Sequence, residues 1–385
     1  MPLDCQHRQR YGQRACLEDC LAVRPTSRFS FVRLEQGDTL PPADPRTVDV
    51  AILDMHHGWP NLGHAAIVHA LQNAVCDVRS ALDEADLVVR AISYDVRRGL
   101  RLPEPPGGRH ALYIGTGGPG HLDPRRNDGV SEGSQGIREN PAWEAPLFDL
   151  FDRVRDDAEA ALFGVCHTFG VMCRWLGVAD AVLRGPAKGG KSAGIVANVL
   201  AAEARRHPWF DRLARELPDH RHVRVLDSRL YDLVPTPGFD RVVMPIGWDC
   251  DGPSGEPAGA ITMMEVTRDA GGVMPRVFGV NHHPEVVNRP RLLTILLQKR
   301  ERGEVDDHDP WFEERRRALT EPVSDEYGDR LLHLTSSYTF LGPVRFYLYR
   351  LIRQRAEGLG VPIHLHEERM PIAYSLAHET LPLAR

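Results

Sequence analysis

What this 385-residue chain lacks narrows the field before any motif is read. No apolar run reaches the roughly 18 residues that a membrane-crossing helix needs. Basic residues are in deficit, 47 Lys and Arg against 53 Asp and Glu, and the formal charge of −6 leaves no whole-chain footprint for nucleic acid or an anionic membrane. The seven cysteines are an odd number and widely spaced, which excludes the disulfide framework of a small secreted domain. Cys16 and Cys20 have a CxxxC spacing, but no second Cys or His pair stands close by, so no structural zinc is expected there. The start, Met1-Pro2-Leu3-Asp4-Cys5, has no basic segment followed by an apolar one, so a cytoplasmic setting without a signal peptide is expected. No internal repeat is evident. What remains is a soluble globular composition, 42% hydrophobic and 26% charged, with length for one large or two ordinary domains.

Taken in order, residues 1–47 are rich in arginine and proline and read as an N-terminal arm, with a short strand at Phe29 to Leu34. Val48 to Asp54 is a continuous apolar run of the kind found in buried strands, and a helix follows from Leu62 to Val75. Leu87 to Ile92 and Ala111 to Ile114 are further strands; the second leads into Gly115-Thr116-Gly117-Gly118-Pro119-Gly120. A helix is expected near Leu147 to Ala161. The apolar run ending at Phe163 then meets Gly164-Val165-Cys166-His167-Thr168-Phe169-Gly170, with helical spacing after it. Strand, sharp turn and helix in that order form an elbow that presents a nucleophile at the carboxyl end of a strand. Alternating strands and helices imply an α/β fold with a parallel sheet, whose ligands bind at the strands' carboxyl ends. Four more strands are expected, at Val223–Leu226, Arg241–Ile246, Ala260–Val266 and Val277–Val280, before a helix over Arg289 to Arg302.

A thiol that attacks a carboxamide needs a base, a group to orient that base, and donors for the developing oxyanion. His283 and Glu285 lie two apart on an extended segment and share a face, which supplies the first two. Gly117, Gly118, the N–H of His167 and the adjoining Thr168 are the candidate oxyanion and substrate-binding positions. His56, His57, His64 and His69 are the densest histidine group, but no carboxylate or thiolate converges on them; solvated turn and helix positions are expected, and no metal. No cofactor is expected either. Cys173, two helical turns beyond Cys166, is a core position.

A GGPG loop, a GxC elbow and a late His-Pro-Glu, in that order over residues 48–302, resemble the class I glutamine amidotransferases. The resemblance implies a three-layer, flavodoxin-like sandwich with a mainly parallel central sheet. It also implies a catalytic triad of Cys166, His283 and Glu285. Asp54, Asn61-Leu62-Gly63, Pro208-Trp209-Phe210 and Asp227 to Pro237 add family-like marks. The activity implied is cleavage of a carboxamide or γ-glutamyl amide through a thioester on Cys166. The acyl group passes to water, and ammonia, if transferred, goes to a separate synthetase or acceptor subunit. The usual elbow is G-x-C-x-G-x-Q, and this chain has Thr168 and Gly170 where the second glycine and the glutamine belong, which leaves the substrate open. Homoserine acyltransferases share this kind of fold and triad and are the alternative. A rival stands apart: Gly185 to Ser192 matches the G-x-x-x-x-G-K-[ST] phosphate loop, followed by a helix-like stretch from Ile195 to Ala204. It would make the protein a nucleotide binder, or the fold a non-catalytic binding module. Residues 303–385 form a charged, mainly helical extension that either caps the active-site edge or builds a homodimer.

Overall fold

A computed structural model of the protein describes residues 28–251, 254–306, 308–321 and 328–365. The Cys16–Cys20 pair and most of the N-terminal arm lie outside them. The strands are β1 (Phe29–Leu34), β2 (Thr47–Asp54), β3 (Val88–Asp95), β4 (His110–Gly115), β5 (Ala161–Val165) and β6 (Ala179–Leu183). Next come β7 (Ser192–Leu200), β8 (His222–Arg229), β9 (Tyr231–Pro235), β10 (Met244–Cys250), β11 (Pro257–Arg268) and β12 (Pro275–Val280). One ten-stranded sheet has the order β1-β3-β2-β4-β5-β12-β11-β10-β7-β8, and β6 pairs with β9 separately. From β1 to β12 every neighbour is parallel; from β12 to β8 every neighbour is antiparallel.

The parallel half is buried on both faces, and its side chains sort by alternation. Val50, Ile52, Phe163 and Val165 point into one apolar cluster; Ala51, Leu53 and Leu162 point into another. The first cluster is closed by helix α1 (Leu62–Asp77) and short α2 (Arg79–Ala85). The second is closed by α3 (Glu144–Asp156) and α4 (His167–Leu176). This is the α/β three-layer arrangement that the strand and helix alternation implies. The helix expected up to Ala161 stops earlier, at Asp156, and Ala161 opens β5.

The charged tail is built into the same core. Beyond α5 (Phe210–Glu216) and α6 (Arg289–Glu301) come α7 (Pro310–Thr320), α8 (Gly328–Ser336), a π-helical turn, and α9 (Gly342–Gly358). Val344, Leu348, Ile352 and Ala356 form a four-residue-spaced stripe against the first cluster, while Arg345, Arg353 and Arg355 face outward. Each large side chain so buried contributes about 1.5–3 kcal/mol. The Tyr349 hydroxyl donates to the Ala74 carbonyl of α1 at 3.1 Å, and Trp209 Nε1 donates to the Tyr338 carbonyl at 2.8 Å.

One expectation is overturned here. Gly185 to Ser192 is not a phosphate loop, because no helix follows it. A 3₁₀ turn over Pro186–Lys188 leads directly into β7, which pairs residue for residue with β8 from Ser192–Arg229 to Val199–His222. The β-branched Ile195, Val196 and Val199 fit that pleated surface, and without a helix N-terminus there is no cradle of amides for a phosphate. The Lys191 ammonium is held by both Glu314 oxygens at 2.7 Å.

Candidate active site

Three neighbouring parallel strands, β4, β5 and β12, end side by side, with Gly115 opposite Gly164 and Val280 opposite Val165. Their next residues are the glycine loop, Cys166 and the His-Pro-Glu segment, so sheet topology alone brings the three motifs together. Cys166 sits on the elbow with φ 50° and ψ −101°, a conformation that costs a non-glycine residue about 1–3 kcal/mol. Its N–H donates to the Val280 carbonyl at 2.7 Å and its own carbonyl accepts from Gly170 at 3.0 Å, so the last rung of the sheet and the first turn of α4 hold the strain. Gly164 makes the sharp turn fit: a Cβ there would meet Met172 Sδ at 2.4 Å.

His283 donates from Nδ1 to Glu285 Oε1 at 2.9 Å, and it shares the cavity with Cys166, whose charge acts on its ring. With Nδ1 engaged by the carboxylate, Nε2 is the nitrogen left for the thiol. Burial alone would push the imidazole pKa down, but Glu285 and Cys166 outweigh it and hold the proton far above the ordinary histidine range. Glu285 is buried and its Oε1 lies against the first turn of α1, where a Cβ on Gly63 would come within 2.6 Å of it. Asn61 caps that helix, accepting from His64 N at 2.5 Å, and its amide contacts His56, whose Nδ1 is 3.0 Å from Thr116 Oγ1. The family-like stretch Asn61-Leu62-Gly63 therefore builds the floor under Glu285. Asp54, paired with Arg33 at 2.7 Å, supports the turn by accepting from His56 N at 3.0 Å. The histidine group is not solvated as expected: His56 lines the site, and His64 is buried with Nε2 2.8 Å from Ser93 Oγ. His282, beside the base, is buried, and burial first, then the charge of His283, pushes it down to about 3.

Gly117 packs directly on the reacting pair, since a Cβ on it would lie 3.0 Å from His283 Cε1 and 3.8 Å from Cys166 Sγ. Gly118 is pressed on the Met55 carbonyl and lines the cavity with Cys166 and His167. Among the described residues, the N–H groups of Gly118 and His167 donate to no acceptor, which is what an oxyanion hole requires. Thr168 departs from its expected substrate-binding place. Its N–H and hydroxyl both go to the Thr116 carbonyl, at 3.3 and 2.7 Å, and its side chain fills the space a Cβ on Gly115 would take. It is a strut that fixes the glycine loop to α4. Gly170 faces Leu122, which a Cβ would meet at 2.4 Å, so Leu122 occupies the ground where the family's glutamine side chain would start.

The cavity over Cys166 holds about 120 Å³. Its far wall comes from positions to which the sequence assigned no part in this site: Lys191 and Arg229 from the antiparallel half, Asn281 before the His-Pro-Glu, and Trp311, Arg315 and Leu319 from α7. The tail thus covers one side of the Cys166 cavity. Only the spacing of Trp311, Arg315 and Leu319, four apart on one helix face, marked them in the sequence.

No protein-family model matches the sequence, and no curated protein matches it. Solved structures similar to it include a glutamine amido transferase from Methylobacillus flagellatus, at 12% identity and TM-score 0.43, covering 79% of this chain and 95% of that one. Another is the glutaminase domain of the Trypanosoma brucei CTPS with bound acivicin, at 11% identity and TM-score 0.37, covering 67% of this chain and 95% of that one.

Proposed function

We propose that this protein is a cysteine-dependent enzyme that opens a small carboxamide or γ-glutamyl amide through a thioester on Cys166. One observation carries the proposal: a cysteine in strained backbone that shares a cavity with a histidine held through Nδ1 by a buried glutamate. With the thiol proton already on His283, the sulfur adds to the carbonyl carbon, and the negative oxygen that results faces the N–H groups of Gly118 and His167. The C–N bond breaks as His283 returns the proton to the leaving nitrogen. Water, activated by the same imidazole, then releases the acyl group as a carboxylic acid and regenerates the thiol.

Transfer to a small alcohol or amine in place of water is the second reading. It is favoured by Trp311, Ala318 and Leu319, which give the cavity an apolar side against which an acceptor other than water can pack. Ammonia delivery to a separate synthetase subunit would use the same first half-reaction. The test is intact-mass analysis after brief incubation with activated p-nitrophenyl acyl esters and with a glutamine-mimicking electrophile. An acyl or alkyl adduct that disappears in Cys166→Ser is the expected result. No adduct on Cys166 from either reagent sinks the enzyme.

A further inference from the structure

We propose that the cavity selects an acyl donor with a free carboxylate and no ammonium group, a monoamide of a small dicarboxylic acid, and that Arg315 on α7 receives the carboxylate. The acyl chemistry rests on the function proposed above; the binding does not. The wall carries three cationic side chains, Lys191, Arg229 and Arg315, and among the described residues no aspartate or glutamate side chain lines it. A zwitterionic amino acid such as glutamine brings an ammonium that needs a charged acceptor, and this wall offers it none. An anionic group meets the opposite situation.

Two of the three cations already sit among carboxylates, although among the described residues the buried Nε and Nη1 of Arg229 make no hydrogen bond. Lys191 Nζ is 2.7 Å from both Glu314 oxygens, and Arg229 is ringed by Asp227 at 3.0 Å and by Asp232 and Asp249 at 3.7 Å. Arg315 differs. Among the described residues its ionic partner is Glu314 at 3.5 Å, a carboxylate shared with Lys191 and with Ser228 Oγ at 3.2 Å. The guanidinium lies over the Trp311 ring at 5.7 Å, with the side chain only 22% exposed. Among the described residues its fork of N–H donors has no carboxylate nearer than Glu314 at 3.5 Å, and partly desolvated over the ring it suits a bidentate carboxylate. An independent observation points the same way. Asn281 is 5% exposed and lines the cavity, yet among the described residues its Nδ2 finds no acceptor. A buried amide left without a partner costs about 1–3 kcal/mol, and a ligand oxygen removes that cost. The cavity of about 120 Å³ has room for a small ligand between the sulfur and α7.

The test measures binding by isothermal titration calorimetry to Cys166→Ala, which cannot react. Three probes of one chain length separate the charges: 4-carbamoylbutanoate carries the carboxylate alone, pentanamide neither charge, and glutamine both. The expected order has 4-carbamoylbutanoate binding about tenfold or more tighter than each of the other two, as a charge-assisted pair implies. Arg315→Gln is expected to weaken 4-carbamoylbutanoate about tenfold and to erase its advantage over pentanamide, and Arg315→Lys to restore part of it. Unchanged melting temperatures establish that both variants fold. Pentanamide binding as tightly as 4-carbamoylbutanoate, or an advantage that survives Arg315→Gln, overturns the carboxylate site. Glutamine binding as tightly as 4-carbamoylbutanoate overturns the exclusion of ammonium. Selective binding without any acylation of Cys166 in the unsubstituted protein would reject the enzyme and leave the site standing.

Discussion

Replacing Cys166 by glycine should stabilise the fold while removing the nucleophile, and the proper comparison is with Cys166→Ala. Both variants lack the sulfur, so contacts of Sγ cancel between them. Alanine keeps the backbone at φ 50° and ψ −101°, where its Cβ retains a strain of about 1–3 kcal/mol. Glycine relieves that strain but adds backbone entropy to the unfolded chain, a cost of about 0.5–1 kcal/mol. The glycine variant should therefore be the more stable of the two by about 0.5–2 kcal/mol. With an unfolding entropy of about 2.1 cal/mol/K per residue, 385 residues turn that difference into a rise of roughly 0.6–2.5 °C in Tm. Urea unfolding at neutral pH reads the free energy directly, and calorimetry reads the shift. At an ordinary position the order is reversed, with glycine below alanine. Finding that reversed order at position 166 would show that the elbow stores no strain.

Two further outcomes follow from the surroundings of the base. Gly63→Ala places a Cβ 2.6 Å from Glu285 Oε1 and should slow acylation of Cys166 by about 10²-fold or more, since the carboxylate no longer holds the imidazole in place. Tm should change little because alanine favours the α1 helix; an unaltered acylation rate would deny Glu285 its orienting role. Acid should destabilise the fold through histidines buried in neutral form. His64 and His282 are both pushed down to about 3 by burial, so below the ordinary value of 6.5 the unfolded chain takes protons that the folded one refuses. Stability should fall by about 1.4 kcal/mol per pH unit for each of them as pH drops from 6.5 toward 3, and His282→Asn should remove one proton from that slope. His283 runs the other way: its raised pKa gives stability that is complete below 6.5 and lost as pH rises through its folded value. Urea unfolding at pH 7, 6 and 5 checks the acid limb, and a flat profile contradicts it.

The sequence displayed the parallel half of the sheet well, because Val48 to Asp54 and Ala111 to Ile114 are continuous apolar runs that only a strand buried on both faces requires. The elbow and the His-Pro-Glu segment were equally legible, since each follows such a strand. β7 was not: Ile195 to Ala204 is rich in alanine, and its pairing with β8 depends on a partner more than twenty residues away. Thr168 misled for a local reason. Next to a nucleophile it looks like a substrate contact, yet a short hydroxyl facing the Thr116 carbonyl finds its bond inside the protein. The tail's role was hidden by charge. Arginines and glutamates dominate its composition, while the stripe that buries it and the Trp311–Arg315 face over the cavity occupy only every fourth position. Lys191 belonged to a complete motif whose chemistry the fold does not use.

The central claim is a covalent acyl group on one sulfur, and trapping it is the most direct test. The protein is mixed with an amide or p-nitrophenyl acyl substrate, quenched in acid within a turnover, digested and analysed by mass spectrometry, with and without hydroxylamine. The account predicts an acyl group on the peptide containing Cys166, removed by hydroxylamine and lost in His283→Ala, while Cys173 in the core stays unmodified. Substrate cleavage without any thioester at Cys166, or an acyl group that forms equally well without His283, would contradict it.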